Sequence, residues 1–470
     1  MLYAGGRFTS GMALVCDDAG VIAKIAGVDE LTDEKKISLP RRAMLPGMVN
    51  AHSHAFQRVI RGRTEYRTTD RDSFWTWRAM MYSAATRLSP EDIYDASRMA
   101  FLEMALSGIT AVGEFHYLHH GPDGKPYDDP NSLAKEVIRA AGDVGLRIAL
   151  LRVAYARSGY SVEPNPQQAR FIEDAETFLR NVESLRREVN TSDTAWVGIA
   201  PHSVRAVSLA YLKEVISYAN EHDLKVHMHV AEQPAEVSAC VEEYGRTPVA
   251  LLESEGLLSE RFTAAHAIHV TPKSIPAFAK TGAIVCACPT TERNLGDGVV
   301  PADEYLKHQV PICLGTDSQV QIDLLEDARE LEYHLRLQKL ERAVLGGNPT
   351  VRKGASTARQ NPGTLPDGRV SDAADRLFDC ATMNGARSIG APNGALQAGR
   401  PADFFTVDLD DPTIAGTSKD DLLASIVFSS SRAAVREVVV GGKPVVSEGR
   451  HLIQEEVIER FSDLQKRLWT

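Results

Sequence analysis

Hydrophobic positions along this chain fall into short runs that alternate with longer amphipathic stretches. The amphipathic stretches have the 3.6-residue period of helices and end near glycine, as in PEDIYDASRMAFLEMALSG and LAKEVIRAAGDVG. The short runs have the length and apolar character of buried parallel strands. There are eight of them: MLPGMVNAHSH, TAVGEFHY, RIALLRVAY, AWVGIAPHSV, KVHMHVAE, FTAAHAIH, AIVCACP and VPICLGTDS.

Eight strand-then-helix units, from about residue 44 to residue 392, predict a TIM-like (β/α)8 barrel of the α/β class. An open, doubly wound parallel sheet is the alternative, but no GxGxxG motif opens any of the helical stretches.

Both ends of the chain are rich in β-type sequence and glycine-containing turns, without a helical period. Each end is too small to fold well alone, so together they predict one composite β-sandwich with the barrel inserted between them. The predicted boundaries are 1–43 and 393–470 for the two parts of the sandwich, the second with a tail helix, and 44–392 for the barrel. Residues 345–370, rich in glycine, proline and threonine, predict a long loop over or near the barrel mouth.

Polar residues collect where the apolar runs end. The C-terminal ends of the strands form the active-site face of a (β/α)8 barrel, whereas structural histidines could fall anywhere along a strand. In contrast, His119 and His120 follow the second run in a predicted turn, and we expect them at the surface. The candidate active-site residues at the run ends are His52, His54, Glu114, His116, Tyr117, His202, His229, Glu232, His266, His269 and Asp317.

The first run ends in HSH, and residues two apart in a strand point to the same side. His52 and His54 would therefore direct two imidazoles to one point, which is half of a zinc site. The fifth run repeats this spacing at His227 and His229, and Asp317 ends the eighth run. The first-strand pair, one fifth-strand histidine and Asp317 would supply enough ligands and leave a position for water.

The formal net charge of −11 narrows the possible partners. Nucleic-acid binding needs a basic face, so this charge argues against it. The sequence has no run of 18 apolar residues and no signal-peptide pattern at its start, so we expect a cytoplasmic protein with no membrane partner. A small anionic substrate would need local arginine or lysine against the overall charge.

Several segments together resemble a known family. PGMVNAHSH, HMHVAEQ, HAIH, GTDS and GRPADFFTVD are similar to the amidohydrolase superfamily, in its mononuclear deaminase branch. HSHAFQR, SFWTWR, EFHYLHH, HSVRAV, HVAEQ and NLGDG resemble the formimidoylglutamate deiminase family within that branch. The resemblance covers almost the whole chain. It implies a metal-dependent hydrolase of linear amidines that converts N-formimino-L-glutamate and water to N-formyl-L-glutamate and ammonia, in histidine degradation.

The resemblance also implies roles for particular residues. One divalent ion, expected to be Zn²⁺, would be held by His52, His54, His229 and Asp317. A single ion is expected because the fourth run has no lysine to carry a bridging carboxylate. Protons would be handled by Glu232, His266 and Asp317. The substrate would be held by Gln57, Arg78, Tyr117, His202 and Arg205. Members of the family are commonly homodimers, so we expect one here.

Arg78 and Arg205 are forked donors of the kind that bind carboxylates, which favours a dicarboxylate over a neutral ring. Two residues depart from the family pattern: Gln319 stands where members often carry histidine, and Arg293 could add a charge near the site.

Two other functions stay open. One is a related deaminase acting on another formimino or guanidino acid or on a nucleobase-like ring. The other is a non-catalytic barrel scaffold, which would be expected to lack metal ligands or the catalytic acid, whereas all of them are present.

Overall fold

The computed structural model describes residues 1–31, 36–66, 74–346 and 373–470. The strands of this part of the chain are β1 (Leu2–Ala4), β2 (Arg7–Thr9), β3 (Met12–Cys16), β4 (Ile22–Gly27), β5 (Arg42–Pro46), β6 (Met48–Ser53), β7 (Ile109–His116), β8 (Arg147–Ala154), β9 (Ala195–Pro201), β10 (Val226–Val230), β11 (Phe262–His266), β12 (Ile284–Ala287), β13 (Ile312–Leu314), β14 (Phe404–Asp408), β15 (Val435–Val440), β16 (Lys443–Ser447) and β17 (Arg450–His451).

The α-helices are α1 (Phe74–Ala85), α2 (Pro90–Leu106), α3 (Ser132–Val144), α4 (Ala175–Val189), α5 (Leu209–Glu221), α6 (Pro234–Tyr244), α7 (Pro248–Ser254), α8 (Ile275–Thr281), α9 (Pro289–Leu295), α10 (Ala302–Lys307), α11 (Leu324–Lys339), α12 (Ala373–Ala381), α13 (Met383–Ile389), α14 (Leu422–Ser429) and α15 (Gln454–Trp469). Short 3₁₀ helices lie at Val28–Glu30, Ala55–Ile60, Pro166–Gln168 and Arg432–Ala434.

Eight parallel strands, β6 to β13 in sequence order, form the barrel. Each strand pairs in parallel register with the next one along the chain. The strands are apolar because both of their faces are covered, and every residue of β7 and β8 is buried. The predicted (β/α)8 barrel is therefore confirmed.

The barrel closes between its first and last strands. Ser53 forms a parallel bridge with Asp317. The Asp317 amide donates to the His52 carbonyl at 3.0 Å, and the His54 amide donates to the Asp317 carbonyl at 3.0 Å. A Cβ at Gly315 would lie 2.7 Å from the Cβ of His52, so this close approach requires glycine. The closure is thus made by residues that the sequence predicts as metal ligands.

The chain ends form a separate seven-stranded sheet in the order β17-β16-β15-β14-β5-β1-β2. Leu2 and Phe404 of this sheet share a small apolar core with Ile22 of the two-stranded β3–β4 sheet. The predicted composite β-sandwich from both chain ends is therefore confirmed. Its boundaries stay predictions, and β5, which crosses the first of them, pairs with β14 in the terminal sheet.

The C-terminal helix α15 packs against α2 and against the first loop of the barrel mouth. Arg98 of α2 donates to both carboxylate oxygens of Glu456 at 2.9 and 2.8 Å. Trp469 donates through its Nε1 to the Val59 carbonyl at 3.2 Å. The helix thereby supports the 3₁₀ turn that follows His54.

The turn after β7 is buried, contrary to expectation. His119 donates through Nε2 to the Val153 carbonyl at 2.8 Å, and His120 donates to that of Ile172 at 2.9 Å. The amides of both histidines also donate to the Arg170 carbonyl. The prediction that His119 and His120 lie at the surface is wrong because the segment between β8 and α4 folds over this turn.

A buried ion pair stabilises the same region. Arg152 donates to both carboxylate oxygens of Glu173, and Asn181 donates to Glu173 at 2.7 Å. Burial raises the pKa of Glu173, but the neighbouring His119 and Arg152 outweigh this effect and lower the pKa to about 2.

Replacing Glu173 with alanine should lower the free energy of unfolding by about 3–5 kcal/mol at neutral pH, because Arg152 is left buried, charged and unpaired. The folded pKa of Glu173 lies below the ordinary 4.5, so its stabilisation is present above pH 4.5 and is lost as the pH falls toward 2. Thermal unfolding at pH 7 and near pH 3 measures the free energy that the variant loses. The difference in stability between wild type and variant should be smaller at the lower pH. An equal loss for Glu176→Ala, whose side chain is 92% exposed, would contradict the explanation.

Among the described residues, no helix is both long and apolar enough to cross a membrane. The loop predicted at 345–370 lies outside the described residues from 347 onward.

Candidate metal centre and active site

Five titratable side chains converge at the C-terminal mouth of the barrel. Ligand atoms of His52, His229, His266 and Asp317, all buried, lie within 4.8 Å of one another. The Nε2 of His52 is 3.1 Å from that of His229 and 3.3 Å from Oδ1 of Asp317. The Nε2 of His54 is 3.3 Å from that of His229 and 3.1 Å from the same carboxylate oxygen. The four predicted ligands are therefore brought together, and their role stays a prediction.

Hydrogen bonds orient two of these imidazoles, those of His54 and His229, with Nε2 toward the centre. The Nδ1–H of His54 donates to the Phe115 carbonyl at 2.9 Å, and that of His229 donates to the His202 carbonyl at 3.1 Å. A proton on Nδ1 leaves the Nε2 lone pair free for a metal. Burial lowers the pKa of His52 to about 4 and that of His229 well below its usual value, so both are neutral. Neutral imidazoles around a buried carboxylate form a donor set that fits a divalent cation.

His266 lies between carboxylates beside this centre. Its Nδ1 is 3.2 Å from Oε1 of Glu292, and its Nε2 is 3.7 Å from Oε1 of Glu232 and 3.8 Å from Oδ2 of Asp317. Burial lowers the pKa of His266, but the three carboxylates outweigh it and raise the pKa well above its usual value. Burial raises the pKa of Glu232. His266 and Glu232 can therefore hold and exchange protons next to the centre.

The loops that carry these groups have left-handed backbone conformations at non-glycine residues. The φ angle is +67° at His266, +47° at Asp317, +62° at Gln319 and +52° at Ala231. Such conformations cost about 1–3 kcal/mol each and persist where the surroundings enforce them. The side chain of Gln319 helps to enforce the backbone conformation at Asp317, because its Nε2 donates to Oγ of Ser53 at 2.8 Å and to the Asp317 carbonyl at 3.0 Å. This departure from the family pattern thus fixes the turn at Asp317.

One cavity adjoins the centre. The Nε2 of Gln57 donates to the hydroxyl of Tyr117 at 2.9 Å. Burial lowers the pKa of His202 well below its usual value, so this side chain is neutral. Aromatic side chains including Phe74, Trp77 and Phe171 cover much of the remaining wall. All five predicted substrate-binding residues line the cavity: Gln57, Arg78, Tyr117, His202 and Arg205.

The model of the Amidohydrolase family matches residues 43–445 of this chain. The chain belongs to the amidohydrolase family. This amidohydrolase is 37% identical over 422 residues to formimidoylglutamate deiminase of Pseudomonas aeruginosa, which covers 89% of this chain and 88% of that protein. It is 28% identical over 436 residues to a 5-methylthioadenosine/S-adenosylhomocysteine deaminase of Pyrococcus abyssi, covering 92% of this chain and 89% of that protein.

Among solved structures, an amidohydrolase from Brucella melitensis superposes on this amidohydrolase with a TM-score of 0.84 at 33% identity, covering 98% of this chain and 96% of that one. The predicted resemblance to formimidoylglutamate deiminase and the prediction of a hydrolytic enzyme are confirmed by these similarities.

Three other candidate residues lie away from the centre of the amidohydrolase. His227, the second histidine of β10, donates through Nε2 to the Ser388 carbonyl at 3.1 Å. The Nε2 of His269 donates to the Asp297 carbonyl at 2.8 Å. The guanidinium of Arg293 pairs with Glu330 of α11 at 2.7 Å, so the expectation that it adds a charge near the site is wrong.

Sequence reasoning missed three residues of the amidohydrolase site: Glu292, which contacts His266, and the cavity-lining Tyr82 and Tyr155. Tyr155 had a usable signal, because it ends the third apolar run. Tyr82 lies within a helix and Glu292 within the short helix α9, where no spacing marks them.

Proposed function

We propose that this enzyme hydrolyses N-formimino-L-glutamate to N-formyl-L-glutamate and ammonia, with one Zn²⁺ ion at the centre. The observation that carries the proposal is that the same cavity is lined by metal-type ligands and by two guanidinium groups. His54, His229 and Asp317 line it together with Arg78 and Arg205. A substrate with an amidine at one end and carboxylates at the other matches this distribution of chemistry.

The residues proposed to hold the ion are His52, His54, His229 and Asp317. Three imidazoles with one carboxylate suit zinc, although other divalent metals accept similar donors. When bound, such an ion supplies Lewis acidity that lowers the pKa of a water molecule from 15.7 toward about 7. A single ion is proposed because β9, AWVGIAP, offers no lysine.

Residues of the chain handle the protons. In the proposal, Asp317 and His266 accept the proton of the attacking water. Glu232 pairs with the protonated amidine, takes up the proton of the added hydroxyl group and delivers it to the departing nitrogen. One water is consumed, a C–O bond forms at the formimino carbon, and the bond from that carbon to its terminal nitrogen breaks to release ammonia. Acid–base assistance of this kind contributes about 10²–10⁴-fold.

The carboxylates of the substrate are assigned to Arg78 and Arg205, whose forked guanidinium groups match a carboxylate geometrically. A neutral purine would leave both half-buried cations facing it without an anion, which is unfavourable. The 37% identity to the Pseudomonas aeruginosa formimidoylglutamate deiminase supports the same substrate. We also propose, as the resemblance implies, that the enzyme acts in histidine degradation, is located in the cytoplasm and forms a homodimer.

Purified, zinc-loaded protein should release ammonia rapidly from N-formimino-L-glutamate. It should act poorly on N-formimino-L-aspartate, N-guanidino-L-glutarate, cytosine and 5-methylthioadenosine. Turnover confined to the glutamate compound is the expected result. Activity on another amidine or on a ring instead would retain the hydrolytic chemistry and overturn the proposed substrate. Inactivity on all five compounds with metal bound would support the scaffold alternative.

A further inference from the structure

Gln168 lies behind the cavity wall and contacts two of its tyrosines. It ends the 3₁₀ helix Pro166–Gln168, and its side chain is fully buried. The side-chain amide donates to the hydroxyl of Tyr82 at 2.7 Å and to that of Tyr155 at 2.7 Å. Ser158 donates through Oγ to Oε1 of Gln168, so the amide nitrogen faces the tyrosines. One buried side chain therefore sets the positions of both hydroxyls.

The same two tyrosines line the cavity together with the two arginines assigned to the substrate carboxylates. The Nε of Arg78 donates to the hydroxyl of Tyr82, and its guanidinium carbon lies 5.0 Å from the centre of that ring. Arg205 and Tyr155 line the same cavity. Burial lowers the pKa of Arg205, but the nearby Tyr155 and Tyr82 outweigh it and raise the pKa. Gln168 is thus linked to Arg78 through the Tyr82 hydroxyl, and it holds the Tyr155 hydroxyl in the cavity that Arg205 also lines.

The hydroxyls of Tyr82 and Tyr155 each offer a limited number of hydrogen bonds. A phenol has one O–H to donate and two lone pairs that accept. On Tyr82 both lone pairs are used, by Gln168 and Arg78, and on Tyr155 one lone pair is used by Gln168. Because Tyr82 has no lone pair left, it cannot accept a hydrogen bond from Tyr155, so at least one phenolic proton stays available to an anion in the cavity that both rings line. Burial raises the pKa of Tyr82 to about 12, which keeps its proton in place.

We propose that Gln168 is a positioning residue that determines specificity for a dicarboxylate, by holding the Tyr82 and Tyr155 hydroxyls as donors beside Arg78 and Arg205. The inference rests on the proposed function, since it concerns the carboxylate end of that substrate. Without Gln168, each phenol recovers a free lone pair and can rotate its proton toward a neighbour. The carboxylate then loses a donor, while the reacting end of the cavity is unchanged.

The test compares Gln168→Leu with wild type on N-formimino-L-glutamate and on N-formiminoglycine, which has a single carboxylate. For the glutamate compound, KM should rise about 10- to 100-fold, as expected for one or two lost hydrogen bonds to a charged group, while kcat stays within about threefold. The ratio of the two substrates' kcat/KM values should fall accordingly. Gln167→Leu is the matched control, because the neighbouring Gln167 is exposed.

A second measurement does not depend on turnover. Calorimetric titration with glutarate should show a Kd about 10- to 100-fold weaker for Gln168→Leu than for wild type. If wild type binds glutarate but does not hydrolyse N-formimino-L-glutamate, the proposed function fails while the inference survives. A KM and a glutarate Kd within twofold of wild type would overturn the inference. Equal loss of kcat/KM on both substrates would also overturn it. If Gln168→Leu does not fold, Tyr155→Phe, which retains the ring, should show the same selective rise in KM.

Discussion

Replacing Glu232 with glutamine should lower kcat by about 10²–10⁴-fold while leaving the metal content unchanged. Glu232 has a side chain that is 13% exposed, and its Oε1 lies 3.7 Å from Nε2 of His266, at the border of the cavity and the metal-type ligands. Glutamine retains the size of the side chain, but it can neither accept a proton nor carry the negative charge that pairs with an amidinium. Steady-state kinetics with N-formimino-L-glutamate, together with elemental analysis of the same preparation, measures both quantities.

The matched control is Glu242→Gln, the same substitution on α6 at an exposed position. This variant should have wild-type kcat and wild-type metal content. A Glu232→Gln variant with near-wild-type kcat would show that Glu232 does not transfer the proton. A variant that loses its metal would show that Glu232 contributes to holding the ion.

Replacing Asp317 with alanine should abolish metal retention and lower activity by more than about 10³-fold, since the Lewis-acid contribution of several kcal/mol is lost with the ion. The carboxylate of Asp317 is the acidic group nearest to the two imidazoles of the first strand, with Oδ1 3.3 Å from His52 and 3.1 Å from His54. Its removal leaves these imidazoles with no negative charge between them. The metal content per chain and the rate of ammonia release, both determined after dialysis against zinc, measure the loss of metal and of activity.

Asp420→Ala, at an exposed position, serves as the control and should retain both metal and activity. Asp317→Asn is the second variant if alanine prevents folding, because the backbone hydrogen bonds of Asp317 do not depend on its side chain. Full metal occupancy together with wild-type turnover in either variant would contradict the assignment of Asp317 as a ligand.

The barrel and much of the site could be predicted because they are encoded locally. The eight apolar runs give the strand order directly, since each strand pairs with the next one along the chain. The HSH spacing places two imidazoles on one side of one strand, and the ends of parallel strands meet at one face of a barrel. Asp317 could be added because it lies near the end of the eighth apolar run, just after the last strand, which lies beside the first.

Other features depend on contacts that no local pattern reveals. His119 and His120 belong to a polar, turn-like segment, and only the chain that follows β8 buries them. Arg293 directly precedes the NLGDG motif, but the direction of α9 turns its guanidinium toward Glu330. Gln168 lies in a short 3₁₀ turn, and its importance follows from two tyrosines that are 86 and 13 residues away along the chain.

The closure of the barrel by His52, Ser53, His54 and Asp317 affects how the protein is made. During synthesis the HSH pair is present early, but Asp317 is added only when the eighth strand is translated. Until then the first strand has an unpaired edge and two imidazoles without their carboxylate. A chain truncated before residue 317 therefore lacks the carboxylate of the proposed metal centre, and we expect completed barrels to retain metal better than nascent or clipped chains.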